Sequence, residues 1–183
     1  AGDAAVNITA GQNITLSGTS IGAGAGKLNI TLLAAGSDSA MVQLSNRSTL
    51  TSNGGSIVID QLNHTTVTED GSVSNPNAMT VKVNNSVLNT SAPAMMDGTA
   101  SESGNITLNA YNPNVNLSAP AYNTTVRNAG SMLELSGNST LTGRDLIMRT
   151  TLEGGNATGL PVFLNNATLN ASHDITLSGV AHP

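Results

Sequence analysis

This chain has no cysteine and no tryptophan, and only one phenylalanine and two tyrosines among its 183 residues. Without thiols there is neither a disulfide framework nor a thiolate metal site. With so few rings, the interior must be built from Leu, Ile, Val and Ala, which suits a thin core better than a thick globular one. Charge is scarce as well: 9% of residues are charged, against about 25% in an ordinary domain. Solubility therefore falls to Asn, Ser and Thr. No apolar run approaches the roughly 20 residues of a membrane-spanning helix, so no span is expected. Six basic residues, Lys27, Arg47, Lys82, Arg127, Arg144 and Arg149, are scattered along a chain of net charge −5. They form no basic stripe of the kind nucleic acid needs, and no nucleic-acid partner is expected. Helix signals are lacking too, because no stretch holds apolar residues at i, i+3, i+4 and i+7 for three turns.

What the chain does have is a returning phrase. It reads Asn7-Ile8-Thr9, Asn13-Ile14-Thr15-Leu16, Asn29-Ile30-Thr31-Leu32 and Asn105-Ile106-Thr107-Leu108, with looser forms at Asn138-Ser139-Thr140-Leu141 and Asn166-Ala167-Thr168-Leu169. Polar and apolar residues alternate with period two, the signature of a half-buried strand. Longer segments repeat one another as well. LSNRSTLTSNGGSIVID from Leu44, LSGNSTLTGRDLIMRT from Leu135 and LNNATLNASHDITLSG from Leu164 each give a strand, a small polar turn and a second strand. A repeat of this size built only of short strands predicts a solenoid.

The expected architecture is all-β: a right-handed parallel β-helix, or β-solenoid. A β-sandwich would also show short strands and frequent turns. Three features favour the β-helix: strands that repeat each other, the near absence of aromatics, and Asn, Ser and Thr recurring at similar places, where stacked side chains can bond between rungs. At roughly 20 to 25 residues per rung, the chain would supply about seven or eight rungs. The expected interior includes Ile14, Leu16, Leu28, Ile30, Leu32, Ile57, Ile59, Ile106, Leu108, Leu133, Leu135, Ile147, Ile175 and Leu177. Two regions, 64–77 and 91–103, lose the alternation and gather turn residues, and are expected to leave the coil as loops. The repeat is under way by Asn7, so residues 1–183 read as one solenoid segment, an internal piece of a much longer chain.

The phrases GQNITLSGTSI, KLNITLLAAG, SGNITLNA and HDITLSG resemble the filamentous haemagglutinin-like exoproteins of two-partner secretion systems in Gram-negative bacteria. Their Asn- and Thr-rich character is most similar to the Haemophilus-type high-molecular-weight adhesins. The resemblance spans most of the chain outside the two loop regions. It implies a long β-helix exported through an outer-membrane secretion partner, secreted or displayed at the cell surface, which attaches to a host-cell receptor or glycan. It also implies hexose added to Asn-x-Ser/Thr sequons. The family's amino-terminal secretion domain is not recognisable here.

Fourteen such sequons occur, at Asn7, Asn13, Asn29, Asn46, Asn63, Asn84, Asn89, Asn105, Asn116, Asn123, Asn138, Asn156, Asn166 and Asn170. Random order would give about five. Alternation accounts for some of the excess, since Asn and Thr two apart share one face of a strand. That account is weaker at Asn46, Asn63 and Asn156, which lie in turn-like contexts. Outward Asn such as Asn46, Asn63, Asn138 and Asn156 are the expected carriers of sugar.

β-Helices also serve polysaccharide lyases and hydrolases, so an enzyme is the alternative, as is a ligand-capturing exoprotein. Lyase and hydrolase sites need carboxylates clustered on one face. Here Asp3, Asp38, Asp60, Asp70, Asp97, Asp145 and Asp174 are dispersed, with Glu69 and Asp70 adjacent. Arg144-Asp145 and His173-Asp174 hold equivalent turn places in two repeats, which reads as turn capping. His64, His173 and His182 lack metal-ligand spacing along the chain, and Gly22 to Gly26 lacks the Lys and helix of a phosphate loop. No catalytic residue, metal or cofactor is assigned.

Overall fold

The computed structural model describes residues 4–22, 24, 26–35, 41–62, 81–92, 102–112, 133–153 and 162–182, all in strands and turns without a helix among them. The strands are β1 Ala4–Ala10, β2 Asn13–Ser17, β3 Ser20–Ile21, β4 Leu28–Ala35, β5 Met41–Ser45, β6 Thr49–Thr51 and β7 Ile57–Leu62. They continue as β8 Val81–Asn84, β9 Val87–Asn89, β10 Ile106–Asn112, β11 Leu133–Gly143, β12 Leu146–Glu153, β13 Val162–Ala171 and β14 Ile175–His182. Each pairing among them is parallel. Hairpins and sandwich strands pair antiparallel, so the sandwich alternative is set aside.

One sheet has the order β1-β4-β7-β10-β12-β14. The other is built from shorter strands that merge in β11, whose first half pairs with β8 and whose second half pairs with β9. β13 then pairs along both halves of β11. The chain thus visits the first sheet, crosses to the second, and returns one strand further along. Groups in adjacent layers bond, side chain to side chain or side chain to backbone, at separations of 27 to 29 residues. The separation reaches 40 from Asn105 to Asp145 and 52 from Asn84 to Ser136. The long-strand sheet carries six strands, so the described residues do not support seven or eight rungs. Layers are wider than the assumed repeat, and residues 63–80, 93–101 and 113–132 come between strands. The expected loop 64–77, and 93–101 of the second, lie outside the described residues.

In-register parallel pairing puts like upon like. In the first sheet Ile30, Ile57, Ile106 and Leu146 form one ladder, and Leu32, Ile59, Leu108 and Met148 a second. In the other, Val42, Val81 and Leu133 align, as do Leu44, Val83 and Leu135, and Leu50, Leu88 and Leu141. All are fully buried and form one hydrophobic cluster. Each such side chain contributes about 1.5–3 kcal/mol on burial, and aliphatic shapes repeat along a ladder without rings. This is the physical reason for the missing aromatics. Backbones also come close: a Cβ on Gly104 would stand 1.9 Å from the carbonyl oxygen of Gly55 in the layer below.

Of the expected interior, Ile14, Ile30, Leu32, Ile57, Ile59, Ile106, Leu108, Leu133 and Leu135 are buried, and Leu16 and Leu28 are half-buried. Ile147 is corrected. In Asp145-Leu146-Ile147-Met148 three apolar residues run together, and pairing with Ile106 and Leu108 turns Leu146 and Met148 inward, leaving Ile147 on the outer face. Ile175 and Leu177 are also corrected: they align with Leu146 and Met148, but among the described residues no strand pairs with the other side of β14, and they are 47% and 50% exposed.

Truncation separates the two faces. Leu108→Ala should cost about 2–5 kcal/mol in urea unfolding, whereas Ile147→Ala should cost about 1 kcal/mol or less. The reverse ranking would show that the register of β12 is wrong.

Candidate functional site

The outward surface is organised as columns of polar side chains, and the sequons sit within them. In Asn13-Ile14-Thr15, Asn29-Ile30-Thr31 and Asn105-Ile106-Thr107, the central Ile is buried and the flanking residues face out. In these three sequons the strand alternation and the Asn-x-Thr spacing therefore coincide. Asn29 Oδ1 accepts the backbone N–H of Ser56 at 3.0 Å, and Asn105 Oδ1 accepts that of Asp145 at 3.2 Å. Each amide supports the start of the strand in the next layer.

A second column, at the corner between strand segments of the merged sheet, was missed in the sequence. Gly18, Asn46, Asn85, Gly137, Asn138 and Asn166 all have positive φ, between 46° and 67°. Asn tolerates this left-handed conformation better than other side chains except Gly. Just beyond it, Ser48, Ser86 and Ser139 point inward and are buried. Ser48 Oγ donates to Ser45 O at 2.8 Å, Ser86 Oγ to Asn84 O at 2.9 Å, and Ser139 Oγ to Ser136 O at 2.7 Å. The backbone N–H of Thr19 bonds Ser48 Oγ, and that of Ser86 bonds Ser139 Oγ, both at 3.2 Å. These corner requirements by themselves place Asn at 46 and 138 and Ser at 48 and 139. The signal was legible as Gly or Asn followed by Ser at 48, 86 and 139, with Thr19 and Ala167 in the corresponding place of the other two layers.

Asn7, Asn13, Asn29, Asn46, Asn138, Asn166 and Asn170 are exposed, and Asn84, Asn89 and Asn105 are half-buried. Asn63, Asn116, Asn123 and Asn156 lie outside the described residues. Asn84 is the most constrained. Its Nδ2, the atom a sugar would occupy, donates to Ser136 Oγ at 2.9 Å and lies 2.6 Å from where a Cβ would stand on Gly137. Asn46 Nδ2 donates to Ser17 Oγ at 2.7 Å, and Asn89 Oδ1 accepts from Ser91 N at 2.9 Å.

Charged groups come together at one turn column. Asp145 Oδ2 accepts from Arg144 at 3.2 Å, and its Oδ1 lies 2.7 Å from His173 Nδ1 while accepting the backbone N–H of Asp174 at 3.1 Å. Asp174 Oδ2 lies 3.1 Å from the same imidazole nitrogen. The hydrogen bond with His173 is the largest influence on Asp145 and holds its carboxyl below the usual carboxylate range, against desolvation; Asp174 N–H and Arg144 act in the same direction. A carboxyl so lowered is ionised, the opposite of what a general acid requires. In each pair read from sequence as a turn cap the neighbouring side chains meet, Arg144 with Asp145 and His173 with Asp174, and stacking adds a meeting of two layers that linear spacing conceals. Elsewhere, Lys82 and Glu134 pair across adjacent strands, with Nζ 3.5 Å from Oε2.

Compared with models of known protein families, with curated proteins and with solved structures, the chain matches none.

Asp60, on the outer side of β7, offers a titration test. Desolvation raises its carboxyl above the ordinary value, against a hydrogen bond from the Gln61 backbone. The folded state then binds its proton more readily than the unfolded chain, so stability rises as pH falls through the folded pKa. Asp60→Asn should be more stable than the parent at neutral pH, and the gap should close in acid. A gap that widens on acidification, followed by urea midpoints, would contradict the assigned environment.

Proposed function

We propose that this chain is a segment of a secreted or surface-displayed bacterial adhesin. Its parallel strands wind as a right-handed β-helix, a shaft or binding region that attaches to a host-cell receptor or glycan. The observation that carries this reading is the ladder construction: aliphatic columns inside and an outer surface of Asn, Ser and Thr in repeating columns. Such a body offers a long, regular surface and spends its sequence on length. Export through an outer-membrane secretion partner follows from the same resemblance, and no helix among the described residues is long and apolar enough to cross a membrane. The alternative, a polysaccharide lyase or hydrolase, draws less support. The carboxylates that meet, at Asp145 and Asp174, flank an imidazole and a guanidinium on an outer turn. Capture of an extracellular ligand by an exoprotein of the same kind would use the same surface.

Hexose on outward sequons is part of the proposal. Peptide mapping of protein from a host containing the transferase should find mass increments at exposed asparagines such as Asn138, Asn166 and Asn170. Asn84 should remain unmodified, for want of room at its amide nitrogen. Equal masses at all fourteen sequons, with and without the transferase, would leave alternation and corner geometry as their sufficient cause. Attachment is tested separately, by binding of the purified chain to host epithelial cells. Replacing 64–77 or 93–101 by a short linker should spare the β circular dichroism and reduce binding if that loop carries the contact. Equal binding to cells and bare plastic would remove the adhesin assignment.

A further inference from the structure

Stacking brings Asp145, His173 and Asp174 together although they are far apart in sequence, and one carboxylate oxygen from each Asp and one ring nitrogen lie within 4.8 Å of one another. We propose that these three side chains form a surface site for a divalent transition-metal ion of the zinc type, clipping two neighbouring layers together. The proposal does not rest on the adhesin reading.

Three observations support it. The donor atoms converge: both Asp145 Oδ1 and Asp174 Oδ2 approach the same atom, His173 Nδ1, at 2.7 and 3.1 Å. These are hydrogen-bond separations, and an ion with bonds of about 2.0–2.2 Å in tetrahedral geometry would open them to about 3.3–3.6 Å, a movement of under about 1 Å for exposed side chains. The charge is unbalanced as well. A neutral imidazole has at most one proton to offer at Nδ1, so it cannot serve both carboxylates fully. Arg144 supplies one positive charge at Asp145 Oδ2, which leaves two carboxylates against one cation. Finally, the central ligand is already oriented. Arg144 holds one oxygen of Asp145 and the backbone N–H of Asp174 holds the other, with 18% of the Asp145 side chain exposed. Outer partners of this sort fix ligand direction in metal sites.

The donor set selects the ion. An imidazole with two carboxylates suits zinc, cobalt or nickel, whereas calcium and magnesium prefer oxygen alone. On binding, Nδ1 gives its lone pair to the metal. A neutral ring carrying its proton at Nδ1 moves that proton to Nε2, and a charged ring releases one proton to solvent. Three protein ligands leave the remaining positions to water. The Asp145 ligand belongs to the turn before β12 and the other two to the turn before β14, so an ion would join consecutive strands of the six-stranded sheet. In a chain without cysteine, this supplies a cross-link of another kind.

The test uses untagged protein treated with chelator and then titrated with zinc chloride by calorimetry, and with cobalt chloride by visible absorption. The proposal expects one saturable site, a rise in thermal midpoint with zinc, and a zinc-dependent shift of the His173 ring nitrogen signals in NMR. Asp174→Asn and His173→Gln alter exposed side chains, so the fold should persist by circular dichroism. Each removes a ligand and should weaken binding by at least the roughly 10- to 100-fold that loss of an outer partner costs, whereas Asp60→Asn should not. Absence of saturable binding by the parent chain would overturn the proposal. So would zinc binding that both ligand variants retain unchanged, or an unperturbed His173 ring at saturation.

Discussion

Every feature of this molecule depends on parallel pairing in register, which sets each residue about 4.8 Å from its counterpart in the next strand. A side chain in such a stack must tolerate something like itself above and below. Leu, Ile and Val do so by dispersion and exclusion of water. Asn and Ser do so by hydrogen bonds along the column, as Asn105 Oδ1 accepts the Asp145 backbone N–H and Ser139 Oγ accepts that of Ser86. Like charges at this spacing would repel, which accounts for a surface so poor in them. Lys82 is matched by Glu134 on the adjacent strand, whereas Asp145 and Asp174 stack in one column and are held together by the His173 ring between them.

The same constraint explains how the polar interior is tolerated. Buried Ser48, Ser52, Ser86, Ser139 and Thr90 lie where the backbone turns and carbonyls lose their ladder partners. Ser52 Oγ donates to Gly55 O at 2.6 Å and Thr90 Oγ1 to Gly104 O at 2.7 Å. A buried hydroxyl without such a partner would cost about 1–3 kcal/mol. The corner hydroxyls therefore satisfy themselves and the turn together, and stacking reproduces the solution from layer to layer.

Much of this was legible in the sequence because alternation reports which face a residue takes. Ile30, Leu32, Ile57, Ile59, Ile106 and Leu108 stood out for that reason. Alternation fails where apolar residues adjoin, as in Leu146-Ile147-Met148. There the useful signal was the polar residue before the strand, since Asn105-Ile106, Asp145-Leu146 and Asp174-Ile175 occupy one column. Ile175 and Leu177 were assigned the correct side, but burial also needs a neighbour on that side. The cluster at Asp145 was hidden for a different reason: His173 is distant along the chain and adjacent only across layers, at a separation of 28 residues. The left-handed Asn corner was present as a residue preference, but the sequon reading of the same letters masked it.

The uneven spacing between paired strands bears on how such a chain can change. Between Asn84 and its partner Ser136 the chain takes 52 residues, yet the strands on either side keep their register. Doubling a closed stretch costs only about 0.6 kcal/mol in chain entropy, less than one buried Leu contributes. Segments between strands can therefore grow, shrink or be exchanged while the stack stays at nearly constant stability. The ladders act as a fixed spine in the mechanical sense, and novelty can accumulate at the joints, where the outer surface can be rewritten without refolding what carries it.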